Sequence, residues 1–199
     1  MRLCLDTETR KHVIIKYITR NKINKNFKKN TLAYRILQTQ IATLKKISHA
    51  NINGLIDFVD DIKSDKVYYV SEYVSKGCLL DYIASNGVLG IKSAWKYFRQ
   101  IVLAMSYIHE VAGITHRNLT LRNLLIDSAG NIRITDVGHR FVFGKEKSEE
   151  EELYDVPKDL EVENRAVKND IWAMSVCLYY MIKGKFPYIT SQKYIFLLS

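Results

Sequence analysis

The side chains able to do chemistry in this sequence gather in three short segments. Val13-Ile14-Ile15-Lys16 ends in an ammonium; His116-Arg117-Asn118-Leu119-Thr120-Leu121-Arg122-Asn123 carries an imidazole, guanidiniums and amides; Asp136-Val137-Gly138 opens on a carboxylate. By type, an ammonium suits an anion, and a carboxylate or amide oxygen suits a hard cation. Each segment alone says little, because an Asp at a strand end and an Asn in a loop are ordinary turn residues. Order and spacing say more: strand-like pieces at residues 124–126 and 132–135 stand between the last two segments, joined by a Gly130-Asn131 turn. Cys4, Cys78 and Cys177 are scattered with no CxxC pair, which suits reduced thiols rather than a disulfide framework or a zinc site.

Together the three segments resemble the motif set of eukaryotic-type Ser/Thr protein kinases: the strand ending in the phosphate-pairing lysine, the catalytic loop H-R-D-L-x-x-x-N and the metal-binding D-F-G. Val70-Ser71-Glu72-Tyr73-Val74 looks like the hinge between lobes, with Ser71 in the gatekeeper place. Asp170-Ile171-Trp172 and Gly184-Lys185-Phe186-Pro187-Tyr188 look like the buried helix of the large lobe and its exit. The style of Leu80-Asp81-Tyr82-Ile83 is nearest the calmodulin-dependent and AMP-activated branch. The resemblance implies an α+β, two-lobe fold, with a small antiparallel-sheet lobe and a larger helical lobe. It also implies a chain that starts as the glycine-rich loop ends and stops before the last C-terminal helices. Residues 1–199 would form one domain, with an N-lobe at 1–74, a hinge at 72–77 and a partial C-lobe at 78–199. Lys16, Gln40, Glu72, Val74 and Leu125 would face a nucleotide, and Asn123 and Asp136 would hold magnesium. Mg-ATP would be a cofactor only if nucleotide binding is retained.

The elements needed to position these groups are legible. Residues 3–5 and 12–18 read as strands around a turn at 6–11, and the polar stretch 21–30 reads as a loop. Ile36, Leu37, Ile41, Leu44 and Ile47 give residues 32–47 a helical stripe, and residues 55–59 and 66–70 read as two more strands. From residue 75 the chain turns helical, with Ala94, Phe98, Ile101, Met105, Ile108 and Ala112 on one face of a long helix ending near Gly113. Asp170 reads as the N-cap of a helix over 171–182, apolar nearly all round and therefore buried. Leu44, Leu55, His116 and Val137 fall where the family stacks side chains between its lobes.

Departures from the family pattern concentrate on the reaction. Where the family has the Asp that accepts the substrate hydroxyl proton stands Asn118, an amide that takes up no proton near neutral pH. Thr120 stands where a lysine would face the transferring phosphate. Ile14 replaces the small residue roofing the adenine, and Gln40 replaces the Glu paired with the lysine, able to bond Lys16 but not to hold it by charge. Tyr154-Asp155-Val156-Pro157-Lys158 resembles Y-x-A-P-E with its Glu changed, and Glu151 replaces a family Thr. The run Glu149–Glu152 either meets Arg117 or is a solvated acidic loop.

These residues point to an inactive kinase, a pseudokinase acting as a protein-binding module in signalling, with an active kinase or its substrate as partner. The alternative is a weakly active ATP-dependent Ser/Thr kinase. A third reading, a nucleic-acid binder, rests only on residues 1–50, where twelve Lys or Arg face only Asp6 and Glu8. The net charge of +9 is uneven, since residues 146–163 hold nine acidic side chains. The 47% hydrophobic and 26% charged composition is that of a globular domain, and no apolar run reaches the ~18 residues of a membrane span. The N-terminus has no apolar signal-peptide core, so a cytoplasmic or nuclear location is expected.

Overall fold

The computed structural model describes residues 1–19, 32–61, 63–138, 147–157 and 163–188. The expected loop at 21–30, Lys158 and the side chains of Ile36 and Leu37 lie outside the described residues. Four antiparallel strands, β1 (Arg2–Leu5), β2 (His12–Thr19), β3 (Leu55–Val59) and β4 (Lys66–Glu72), form a sheet in the order β1-β2-β4-β3. Side chains along β4 alternate, and Val67, Tyr69 and Ser71 are its buried set. Directly opposite residues of an antiparallel pair share a face. Lys16 opposes Tyr69 and Ile14 opposes Ser71, so both point to the core side of the sheet. β4 runs two residues past the expected end because Ser71 and Glu72 still pair with Ile14 and Val13. The hinge therefore begins inside the ladder.

Helix α1 (Leu32–Lys46) buries Ile41 and Leu44 and is tied to β3 by Lys45 and Asp57 at 2.6 Å. The helical part follows: α2 (Leu79–Asn86), then α3 (Ile91–Ser106), which continues into a wider π-type turn over Tyr107–Val111. A hairpin of β5 (Leu124–Ile126) and β6 (Ile132–Ile134) packs beneath the hinge, with Cys78 bridged to Leu125 and Ile52 to Ile134. Short α4 (Glu149–Glu152) and long α5 (Arg165–Lys183) complete the described chain. One apolar cluster joins these parts, from Leu44, Leu55 and Tyr69 through Ile101, Leu121 and Ile134 to Val176 and Met181. The four expected stacking residues Leu44, Leu55, His116 and Val137 are all buried.

Two expectations for the last helix fail. Asp170 is not its N-cap: α5 starts at Arg165, and Asp170 is a buried residue inside it. Its carboxylate accepts hydrogen bonds from the backbone N–H groups of His116 (2.8 Å) and Arg117 (2.9 Å) and from His109 Nε2 (2.9 Å). An Asp before an apolar run has the pattern of a cap, but the polar turn preceding it is already helical. Nor is α5 apolar and buried all round, since Ile171 stays 48% exposed and Lys168, Ser175 and Lys183 share the outer side.

Replacing Asp170 by Ala strands buried backbone donors far from water. Each such loss costs about 1–3 kcal/mol, so the variant is expected to lose roughly 3–5 kcal/mol in urea denaturation. An unchanged midpoint would show that Asp170 does not anchor this loop.

Candidate functional site

β2 carries Lys16 to the core side of the sheet, where its Nζ lies 2.5 and 2.7 Å from the two carboxylate oxygens of Asp136. The pair is largely screened from water, and a charge-assisted bond is strong there. Asp136 reaches it because its backbone adopts φ 63° just after β6, a left-handed conformation uncommon outside glycine. Gly138, at φ 65°, lets the turn pass over Leu44, whose side chain a Cβ would meet at 3.5 Å. Gln40 is half-buried on α1, and among the described residues no hydrogen bond joins it to Lys16. The lysine is held by the carboxylate and not by the amide.

Beside the hinge, Glu72 uses its carboxylate on Arg133 at 3.0 Å, and its carbonyl oxygen accepts from Asn53 Nδ2 at 3.0 Å. Leu125 lies against the hinge because Lys76 N–H donates to Ile126 O and Ile126 N–H to Gly77 O. Val74 is half-buried alongside, and Ile14 is half-buried opposite the buried Ser71. Sequence reasoning missed Asn53. It is 2% exposed, its N–H donates to Ile134 O, and its Oδ1 has no hydrogen-bond partner among the described residues. The signal was a lone amide inside the otherwise apolar stretch from Ile52 to Leu55.

The loop from His116 to Asn123 is shaped by Asp170 from below and by its own side chains. Its left-handed Arg117 (φ 67°) lets two successive N–H groups point at the one carboxylate. His116 Nδ1 accepts from Asn118 N–H (3.3 Å) and Nε2 donates to Thr135 O (3.0 Å), the pattern of a neutral imidazole. Burial pushes its pKa down, which favours that same form. Asn123 Nδ2 donates to Asn118 O at 2.7 Å, and Thr120 is buried.

Position 118 faces α4. Asn118 Nδ2 donates to Glu151 Oε1 at 2.9 Å, while Asn118 Oδ1 is buried with no partner among the described residues. The other Glu151 oxygen accepts from Ser148 N–H (2.9 Å), and Ser148 Oγ accepts from Glu151 N–H (3.3 Å), a reciprocal cap that starts α4. Arg122 reaches Glu150 at 3.3 Å, and Lys147 pairs with Asp155. The acidic run is thus a short helix docked on the loop of residues 116–123 rather than a solvated loop. The partners seen there are Asn118 and Arg122, and Arg117 Nε donates to Thr115 Oγ1. The Leu121 N–H also meets the buried Tyr154 hydroxyl at 3.5 Å.

Asn118→Asp alone would set two carboxylates within hydrogen-bond distance, raising the pKa of one and costing roughly 1–3 kcal/mol at neutral pH. Thermal melts should show Asn118→Asp below the wild type, and Asn118→Asp with Glu151→Gln, which keeps the α4 cap and donates to the new carboxylate, recovering most of the loss. Equal loss in the single and double variants would show that the two side chains are not coupled.

Residues 1–196 match the protein kinase domain family. A probable serine/threonine-protein kinase MARK-C of Dictyostelium discoideum is 36% identical over 186 residues, covering 90% of this chain and 23% of that protein. CBL-interacting protein kinase 31 of Oryza sativa subsp. japonica is 31% identical, covering 94% and 42%. NUAK family SNF1-like kinase 1 of Mus musculus is 33% identical, covering 88% and 26%. The chain therefore spans less than half the length of these relatives. The crystal structure of Rad53 in complex with AMP-PNP superimposes with a TM-score of 0.69 at 28% identity, over 92% of this chain and 44% of that one. With Lys16 bonded to Asp136, the loop of residues 116–123 tied beside it through His116 and Thr135, and these likenesses across nearly its whole length, the chain belongs to the protein kinase domain family, in its eukaryotic-type Ser/Thr branch.

Proposed function

We propose that this domain is a pseudokinase, a kinase-shaped module that transfers no phosphate and acts in signalling by holding a protein partner. The observation that carries this reading is the Asn118 amide. Its NH2 is spent on Glu151, and its acceptor oxygen is buried, so nothing at position 118 is available to take a proton from a hydroxyl. Thr120, buried and uncharged, adds no positive group beside it. Asp136 and Asn123 are the residues that would hold magnesium, which would supply charge neutralisation for a bound phosphate, but both Asp136 oxygens carry bonds from Lys16, so an ion there competes with that pair.

Purified protein with radiolabelled ATP and a generic protein substrate is expected to give no transfer, since loss of a general base alone costs about two to four orders of magnitude. Phosphorylation abolished by Lys16→Met would overturn the reading. A slow kinase is the second reading, favoured by one observation: Glu151 brings a carboxylate within 2.9 Å of Asn118. In that case Glu151→Gln would remove whatever transfer the wild type shows.

Nucleotide binding is a separate expectation. A ligand at a hundredfold excess over its Kd stabilises by about 2.7 kcal/mol. Millimolar Mg-ATP is expected to raise the melting temperature by far less than that implies, with Ile14→Ala increasing the response. A rise of several degrees in the wild type would show a working nucleotide site.

A further inference from the structure

Helix α3 contains no Asp or Glu between Ile91 and Ser106, yet carries Lys92, Lys96 and Arg99 on one stripe with Trp95 and Leu103. Residues at three- and four-residue spacing share a helix face, so these five side chains form one row. They line an open groove of about 470 Å³, floored by Asn51 and Gln100. The floor is fixed: Asn51 Nδ2 donates to Ile132 O (2.9 Å), Gln100 bonds Asn131 and Ile132, and Lys96 Nζ reaches Gly130 O (2.8 Å). Trp95 is 64% exposed and Leu103 50%.

No carboxylate among the described residues pairs with the charges along this row, where Lys96 Nζ bonds Gly130 O and lies over the Tyr97 ring. Arg122, Arg133, Lys45 and Lys147 each pair with a carboxylate, whereas among the described residues Lys92, Lys96 and Arg99 form no ion pair. A large exposed aromatic flanked by such cations has the composition of a binding hot spot, since Trp and Arg dominate the energetics of interfaces.

We propose that the α3 groove is the docking surface for an acidic segment of a partner protein, a proposal that rests on the partner-binding reading above. Carboxylates of that segment meet Lys92, Lys96 and Arg99, and an aliphatic side chain between them lies on Trp95 and Leu103. A protein segment fits better than a single-stranded nucleic acid. Nucleic-acid grooves offer successive aromatic platforms for stacked bases, and this row has one ring followed by an aliphatic side chain.

The test titrates the full chain with a short fluorescein-labelled peptide of alternating glutamate and leucine, read by anisotropy. The glutamine-for-glutamate peptide and polyuridine RNA serve as comparison probes. The acidic peptide is expected to bind, and its neutral counterpart to bind at least about tenfold more weakly. Trp95→Ala and the combined Lys92→Glu, Lys96→Glu, Arg99→Glu variant should each weaken it about tenfold or more. A control reversing the exposed Lys46, Lys168 and Lys183 makes the same change in net charge and should stay within about twofold. Tryptophan emission gives a readout that needs no charge reversal. The peptide should shift the signal of exposed Trp95 to shorter wavelength, while Trp172 stays bonded to Tyr188.

Equal weakening in both charge-reversed variants, full binding by folded Trp95→Ala, unmoved emission, or tighter binding of polyuridine would each overturn the proposal. Phosphotransfer dependent on Lys16 would overturn the inactive reading and leave the groove standing. A silent kinase fold whose groove variants bind like the wild type would do the reverse.

Discussion

The buried carboxylate of Asp170 is the constraint on which the functional part of this molecule depends. A charge with almost no access to water is tolerated only when its oxygens are satisfied, and here two backbone N–H groups and an imidazole satisfy them. The donors belong to two segments, the π-type turn after α3 and the loop at His116 and Arg117, and α5 carries the acceptor, so the carboxylate ties three segments together. Because Arg117 must adopt a left-handed backbone to present its N–H, the direction in which the chain leaves toward Asn118 is set at that point. His116 then hands the constraint on to Thr135, next to the strained Asp136. One carboxylate thus fixes both the loop that carries Asn118 and the turn that carries Asp136.

The same frame explains how an amide is accommodated at position 118. An Asp in a family catalytic loop accepts; an Asn donates, so the neighbour must change in the complementary sense. Glu151 provides that complement, and its second oxygen closes the cap of α4. The exchange keeps a carboxylate and a hydrogen bond in the site while moving the charge onto another element. Packing around position 118 is preserved.

Much of this was legible in the sequence, for identifiable reasons. Lys16 and Asp136 stood out because their segments resemble the lysine strand and the D-x-G motif, but their pairing was not expected, since Gln40 stood as the lysine's partner. The strands at 12–18 and 66–70 were legible as strand-like runs, but which strands pair was not, because the register lies between segments distant in the chain. Asp170 was misread because a cap and an internal carboxylate look alike when the preceding turn is polar; only the position of the His116 and Arg117 donors separates them. Glu151 and Asn53 were not legible as partners of Asn118 and Glu72, since a side-chain bond between distant segments leaves no periodic trace. Gln40 shows the opposite limit: its place matched a motif, yet among the described residues no hydrogen bond joins it to the lysine.

The ion pair between β2 and the turn after β6 also has a kinetic meaning. Its two residues are 120 positions apart in the chain. Closing so long a loop has an entropic cost that a single contact does not repay, so the pair forms only after the intervening strands and helices have condensed. Lys16 and Asp136 are therefore a latch set late on an already assembled body.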